Sequence, residues 1–172
     1  MTGLLGAVLA GGRSSRFGSD KALALWEGRR LIDRSRALLE PWCDEVIVVG
    51  RDDDGAGVAD LPRANLGPLG GIAGALDYGA SHGYRCVLTI SCDMPFLPDG
   101  LVEGLVRRGP AYCPDAPVLG HWPSALGAQL LGWIETAPDL SVRGWARSVG
   151  AIPIASPAPL ANVNTPEDLL AL

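Results

Sequence analysis

The sequence is nearly without lysine. Thirteen of its fourteen basic residues are arginines, and the exception is Lys21. Histidine is also scarce, with only His82 and His121 present. The four cysteines, Cys43, Cys86, Cys92 and Cys113, form no C-x-x-C pair. So few thiols and imidazoles exclude an ordinary zinc site and a dense disulfide framework. Buried reduced thiols are the expectation, and they fit the cytoplasm. Long apolar runs are missing as well. The N-terminal "LLGAVLA" is too short for a membrane span and lacks the cationic flank of a secretion signal, so it is expected to be a buried strand. Aromatics make up 6% and the net charge is −5, with no basic stripe, which speaks against nucleic acid or an anionic membrane as partner.

What remains suits a packed protein. At 172 residues, 48% hydrophobic and 19% charged, the chain can bury a sizeable core. It shows no internal repeat, low-complexity tract or dividing linker, so one domain over residues 1–172 is expected. Charge is uneven along it. Residues 1–36 carry seven basic and three acidic side chains, against seven and sixteen in the remainder. A basic segment on an acidic protein points to a local anion site near the N-terminus.

The hydrophobic pattern alternates between strand and helix. Leu4 to Leu9 is a continuous apolar run, as in a central parallel strand buried on both faces. In "LIDRSRALLEPW", Leu31, Ile32, Ser35, Leu38 and Leu39 share a helical stripe that Pro41 ends. Glu45 to Gly50 reads as a second strand, Arg51 to Leu66 as loop, "GPLGGIAGALDYGASHG" as a helix of small residues, and Cys86 to Ile90 as a third strand. "LPDGLVEGLVRR" reads as a helix with Pro98 near its first turn. Further on, "AYC", "APVLG" and "AIPIA" suggest short strands, and "GAQLLGWIETA" and "SVRGWARSVG" suggest helices. The chain closes on a helix with Thr165 as N-cap, Pro166 at N1 and Asp168 at N3. The succession implies an α/β fold: a Rossmann-like three-layer α/β/α arrangement with a mostly parallel central sheet.

In such a sheet, ligands bind beyond the carboxyl ends of the strands. "LAGGRSSRFGSDK", Leu9 to Lys21, leaves the first strand at that edge. Gly11, Gly12 and Gly18 let backbone N–H groups approach a ligand, a nest suited to phosphate. Arg13, Arg16 and Lys21 add charge, and Ser14 and Ser15 add donors. The loop is neither a P-loop, which needs G-x-x-x-x-G-K-[ST], nor a G-x-G-x-x-G dinucleotide fingerprint. Asp20 is expected to cap the turn that follows. A second site is "SCDMPFL", where Asp93 stands just past the third strand on the same edge, a carboxylate suited to Mg²⁺. Trp133 and Trp145 are expected in the core, and His82 and His121 are expected to be structural.

"LAGGRSSRFGSDK", "GPLGG", "SCDMPFL" and "NVNTPED", in that order, resemble the molybdenum cofactor guanylyltransferases, the MobA-like nucleotidyltransferase family, from residue 4 to about residue 170. The resemblance implies a nucleotide-diphospho-sugar transferase type of fold and transfer of GMP from GTP to the terminal phosphate of molybdopterin. It assigns Leu9, Ala10, Gly11, Gly12, Arg13, Ser14, Lys21, Asp60, Gly67 and Asp93 to nucleotide binding. Lys21, Asp93 and Arg16 would be catalytic, and Asp93 would hold Mg²⁺. Asn162 and Asn164 would lie on the pterin side. Partners implied are GTP and molybdopterin, with transient contact to molybdenum cofactor biosynthesis or acceptor proteins. Two departures stand out. The family's nucleotide-contacting asparagine falls at Val49 or Gly50, so that contact is lost or made by backbone. In "HWPSALG", Trp122 stands where the family carries a polar residue before proline, on the expected substrate side. The alternatives are a related enzyme using CTP or another phosphorylated acceptor, and a non-catalytic nucleotide-binding domain.

Overall fold

The computed structural model describes residues 3–11, 20–53 and 57–170. In chain order its strands and helices are β1 (Leu4–Leu9), β2 (Leu25–Trp26), β3 (Arg29–Arg30), α1 (Leu31–Leu39), β4 (Glu45–Val49), β5 (Gly57–Val58), α2 (Pro68–Ser81), β6 (Cys86–Ser91), α3 (Leu101–Val106), β7 (Ala111–Cys113), β8 (Ala116–Pro123), α4 (Gly127–Thr136), α5 (Val142–Ser148), β9 (Ile152–Pro153) and α6 (Pro166–Leu170). Short β2 and β3 form an antiparallel hairpin of their own.

The other seven strands form one sheet in the order β5-β4-β1-β6-β8-β7-β9. β5, β4, β1 and β6 run parallel, β8 runs antiparallel to both neighbours, and β9 is again parallel to β7. Every residue of β1 is buried, because helices cover both faces of the sheet. Alternation along β1 sorts the two sides. Leu5, Ala7 and Leu9 pack with Leu69, Ile72 and Leu76 of α2 and with Leu130 and Trp145 of α4 and α5. Leu4 and Val8 pack with Ile32 and Leu39 of α1 and with Leu101 and Leu105 of α3. The three-layer α/β/α arrangement read from the sequence is what forms.

Local signals explain several boundaries. Strand β4 stops at Gly50, whose φ of +88° belongs to the left-handed region. At the other end of the chain, Asp168 Oδ2 accepts hydrogen bonds from the backbone N–H groups of Asn164 (2.7 Å) and Thr165 (2.8 Å), while Thr165 Oγ1 accepts from Asp168 N (3.3 Å). This is a reciprocal cap of the kind the terminal motif predicts. Helix α3 starts later than expected. It begins at Leu101 after Gly100 (φ +78°), so Pro98 precedes the helix instead of sitting in its first turn. The Arg51 to Leu66 stretch, expected as loop, contains the short edge strand β5.

Trp122 is not on a substrate face. It is fully buried, with its ring 4.6 Å from Trp145 and 6.5 Å from Tyr112 between centroids, and its Nε1–H donates to Thr89 Oγ1 at 3.0 Å. Trp145 is likewise fully buried and Trp133 packs against the same cluster, as expected. Trp122→Ala is predicted to cost about 3–5 kcal/mol of folding stability, the usual range for truncating a packed aromatic. Urea unfolding monitored by circular dichroism measures it, and a loss well under 1 kcal/mol would contradict the core placement.

Candidate active site

The parallel register of β1 and β6 pairs Leu9 with Ser91, so the segments that follow both strands leave the same carboxyl edge. The match continues one step beyond the strands, where Cys92 N–H donates to the Leu9 carbonyl at 3.1 Å. Lys21 opens a short 3₁₀ turn, Lys21–Leu23, capped by Asp20, whose Oδ1 accepts from Ala22 N–H at 3.2 Å. From there Lys21 Nζ reaches Asp93 Oδ2 at 2.7 Å, with both side chains largely shielded. The pair joins residues 72 positions apart. The Asp93 carbonyl accepts from Val163 N–H at 3.0 Å, which brings the exposed Asn162 and Asn164 alongside.

A clamp fixes this turn from the next strand. Arg51, one residue past Gly50, holds both carboxylate oxygens of Asp20 at 2.8 Å through its two terminal nitrogens. The fork-on-fork geometry restrains direction as well as distance. Arg51 thus ties the end of β4 to the residue that precedes Lys21.

Beside the ion pair lies a cavity of about 190 Å³ at the strand ends, lined among others by Leu9, Gly11, Asp60, Asn65, Gly67 and Ser91. Behind Asp60 the backbone is tightly packed. A Cβ on Gly50 would stand 2.6 Å from Gly11 Cα and 2.9 Å from Asp60 Oδ1, so no side chain fits there. Nor is the Gly50 N–H available to a ligand, since it donates to the Val58 carbonyl at 2.8 Å. The Val49 carbonyl is taken by Ala10 N–H at 2.9 Å. Asp60 Oδ1 is buried and accepts no hydrogen bond from the described residues.

Of the expected site residues, Leu9, Gly11, Asp60 and Gly67 line the cavity, and Lys21 and Asp93 form the adjoining pair. Ala10 is half-buried and held against β4. Gly12, Arg13, Ser14 and Arg16, with Ser15 and Gly18, lie outside the described residues. His121 is buried, with Nδ1 2.9 Å from the Arg108 carbonyl, and His82 stacks on Tyr78, so neither faces the site. Arg51, Asn65 and Ser91 are site residues that pattern reading passes over. An arginine directly after a strand-ending glycine, and an asparagine in the turn before "GPL", are the signals that mark the first two. For a metal, Asp93 offers a single carboxylate, and among the described residues no group of three His, Cys, Asp or Glu side chains gathers. One carboxylate completed by substrate oxygens and water is a donor set that Mg²⁺ accepts.

The fold shifts the ionisation of several of these groups. Hydrogen bonding to Arg51 holds Asp20 below the usual carboxylate range, so this pair contributes stability at neutral pH that is lost as pH falls through that lowered value. Asp60 is displaced upward by burial, so its ionised form opposes folding. Cys92, next to Asp93, is pushed up to about 12 by burial and stays a thiol. Asp60→Asn is predicted to raise the unfolding midpoint of the ligand-free protein at neutral pH. The gain shrinks as pH falls through the raised Asp60 titration, because the parent residue is then neutral too. Thermal unfolding at a series of pH values measures this, and a lower midpoint for the variant at neutral pH would contradict it.

The chain resembles known proteins over most of its length. The profile of the MobA-like NTP transferase domain matches residues 6–149. The molybdenum cofactor guanylyltransferase of Rhodobacter capsulatus is 36% identical over 186 residues, covering 96% of this chain and 93% of that protein. The molybdenum cofactor guanylyltransferase of Rhizobium leguminosarum bv. trifolii is 33% identical, covering 96% and 90%. Among solved structures, the molybdopterin-guanine dinucleotide biosynthesis protein A of Archaeoglobus fulgidus superposes with a TM-score of 0.73 at 20% identity, covering 97% and 95%. The 2-C-methyl-D-erythritol 4-phosphate cytidylyltransferase of Thermus thermophilus shares the fold with a TM-score of 0.65 at 17% identity, covering 96% and 95%. The chain belongs to the MobA-like NTP transferase domain family.

Proposed function

We propose that this protein transfers GMP from GTP to the terminal phosphate of molybdopterin, forming molybdopterin guanine dinucleotide and pyrophosphate. It does so as one MobA-like NTP transferase domain over residues 1–172, in the cytoplasm. The observation that carries this reading is the ion pair of Lys21 Nζ with Asp93 Oδ2, 2.7 Å apart, at the same sheet edge as a cavity lined by Asp60, whose Oδ1 is buried and accepts no hydrogen bond from the described residues. The ammonium can meet phosphate oxygens directly, and the carboxylate can meet them through a divalent cation.

The reaction joins two polyanions. An oxygen of the molybdopterin phosphate attacks the α-phosphorus of GTP, a new P–O bond forms, and the bond to the β-phosphate oxygen breaks. The nucleophile is already ionised at neutral pH, so no general base is needed. Catalysis falls to positioning and to charge stabilisation. Lys21, set in place by its capped turn and the Arg51–Asp20 clamp, neutralises phosphate oxygens as charge moves to the departing pyrophosphate. Arg13 and Arg16 add charge to the same phosphates. Mg²⁺ held by Asp93 would supply Lewis-acid stabilisation of the triphosphate. Asp60 accepts from the donors on guanine N1 and the 2-amino group, and Asn162 and Asn164 border the acceptor side through Val163. The flexible ammonium of lysine suits a charge that must follow a moving phosphate, whereas the arginine fork suits fixed pairing, as at Arg51.

Lys21→Ala and Asp93→Ala are each predicted to lower kcat by about a hundredfold to a thousandfold, the usual effect of removing one preorganised contact to developing charge. Pyrophosphate release with GTP, molybdopterin and Mg²⁺ measures this, and near-parental turnover by either variant would overturn the assignment. In thermal-shift assays GTP is expected to stabilise the protein more than CTP or ATP at equal concentration, and a larger shift with CTP would move the reading to a cytidylyl donor.

A further inference from the structure

Base selection in the cavity needs more than Asp60. A carboxylate only accepts, so it can meet the N1–H and 2-amino donors of guanine and leaves the O6 acceptor unanswered. Something must donate to O6. The end of β4 cannot, because a side chain at Gly50 has no room and the Gly50 N–H is spent on Val58. Leu9, Val49, Pro68 and Val118 bring no polar side-chain atom to the lining. Ser91 lies two residues from Asp93, at the phosphate end. Gly11, Gly67 and Gly71 line the cavity with backbone alone, so Asn65 is the side chain on the base side that carries a donor.

We infer that Asn65 donates from Nδ2 to guanine O6 and so completes, with Asp60, the recognition of the base edge. This deepens the reading of the cavity as the guanine pocket and rests on it. Asn65 lines the same cavity as Asp60, is exposed, and makes no hydrogen bond to the described residues. Its φ of +66° is one that asparagine tolerates better than most residues, so its side chain is set by a turn at the cavity rim. Together the two residues supply the acceptor and the donor that the guanine edge requires. Adenine reverses that order, with an amino group at C6 and a bare N1.

Atom-swapped nucleotides separate the two contacts. 6-Thio-GTP keeps N1–H and the 2-amino group and replaces only O6 with sulfur, a weak acceptor. ITP keeps O6 and lacks the 2-amino group. Affinities come from isothermal titration with Mg²⁺ and each nucleotide. The protein is expected to prefer GTP over 6-thio-GTP by about threefold to tenfold, the span of one net hydrogen bond. Asn65→Gly deletes the amide while permitting the positive φ, and it is expected to abolish that preference and leave the preference for GTP over ITP intact. Asn65→Asp, of nearly the same shape, sets an acceptor against O6 and is expected to weaken GTP further than Asn65→Gly does. Undiminished discrimination of GTP from 6-thio-GTP in Asn65→Gly, with ITP still discriminated, would overturn the role of Asn65 alone. Absence of GTP binding by the parent protein would overturn the guanine reading and this inference with it.

Discussion

The carboxyl edge of the sheet is organised by the ion pair between Lys21 and Asp93. Its two members come from segments that follow adjacent parallel strands, and the register of β1 against β6 sets how far each must reach. Supporting contacts converge on it. Asp20 caps the turn that carries Lys21, Arg51 grips Asp20 from the end of β4, and Val163 binds the Asp93 carbonyl from the C-terminal segment. Four stretches far apart in sequence thereby register on one pair of opposite charges. A mobile side chain such as lysine loses considerable rotamer entropy when held. The surrounding bonds bear that cost, leaving a cation already placed when a polyphosphate arrives.

Two carboxylates at this edge have been driven in opposite directions. Asp20 gains from its arginine and favours the folded state when ionised. Asp60 loses water without gaining a partner and opposes folding when ionised. The first is part of the scaffold. The second has the character of a group retained for a ligand, since a buried acceptor without a donor is stabilised only when a donor is brought to it. The close approach of Gly11 to Gly50 leaves no room for a side chain at Gly50 that could satisfy Asp60, and the Gly50 N–H is spent on Val58.

Much of the fold was legible in particular residues. The apolar run Leu4–Leu9 announced a central parallel strand, Cys86–Ile90 announced a third strand, and the stripe through Leu31, Ile32, Ser35 and Leu39 announced α1. Thr165 and Asp168 capped the last helix as their spacing requires. Other features escaped because no local pattern encodes them. Trp122 fills the space between Tyr112 and Trp145 because β8 inserts antiparallel beside β6, and a pairing across the sheet leaves no mark in a short window. Gly100 displaced the start of α3 beyond Pro98. Arg51 and Asn65 looked like ordinary polar loop residues until the chain folded them over Asp20 and onto the rim of the cavity.

By itself the sequence determined which residue types were available for chemistry and which edge would carry them. One lysine, one carboxylate after a buried strand and a glycine-rich loop specify the ingredients of a phosphate site, because strand periodicity and glycine conformation act over a few residues. Tertiary structure alone decided the pairings. That Lys21 meets Asp93, that Arg51 takes Asp20, that Asp60 is left without a donor and that Asn65 shares its cavity all follow from strand order and register. Those are fixed by burying both faces of the sheet at once, a constraint that sums over the whole core and is written in no single segment.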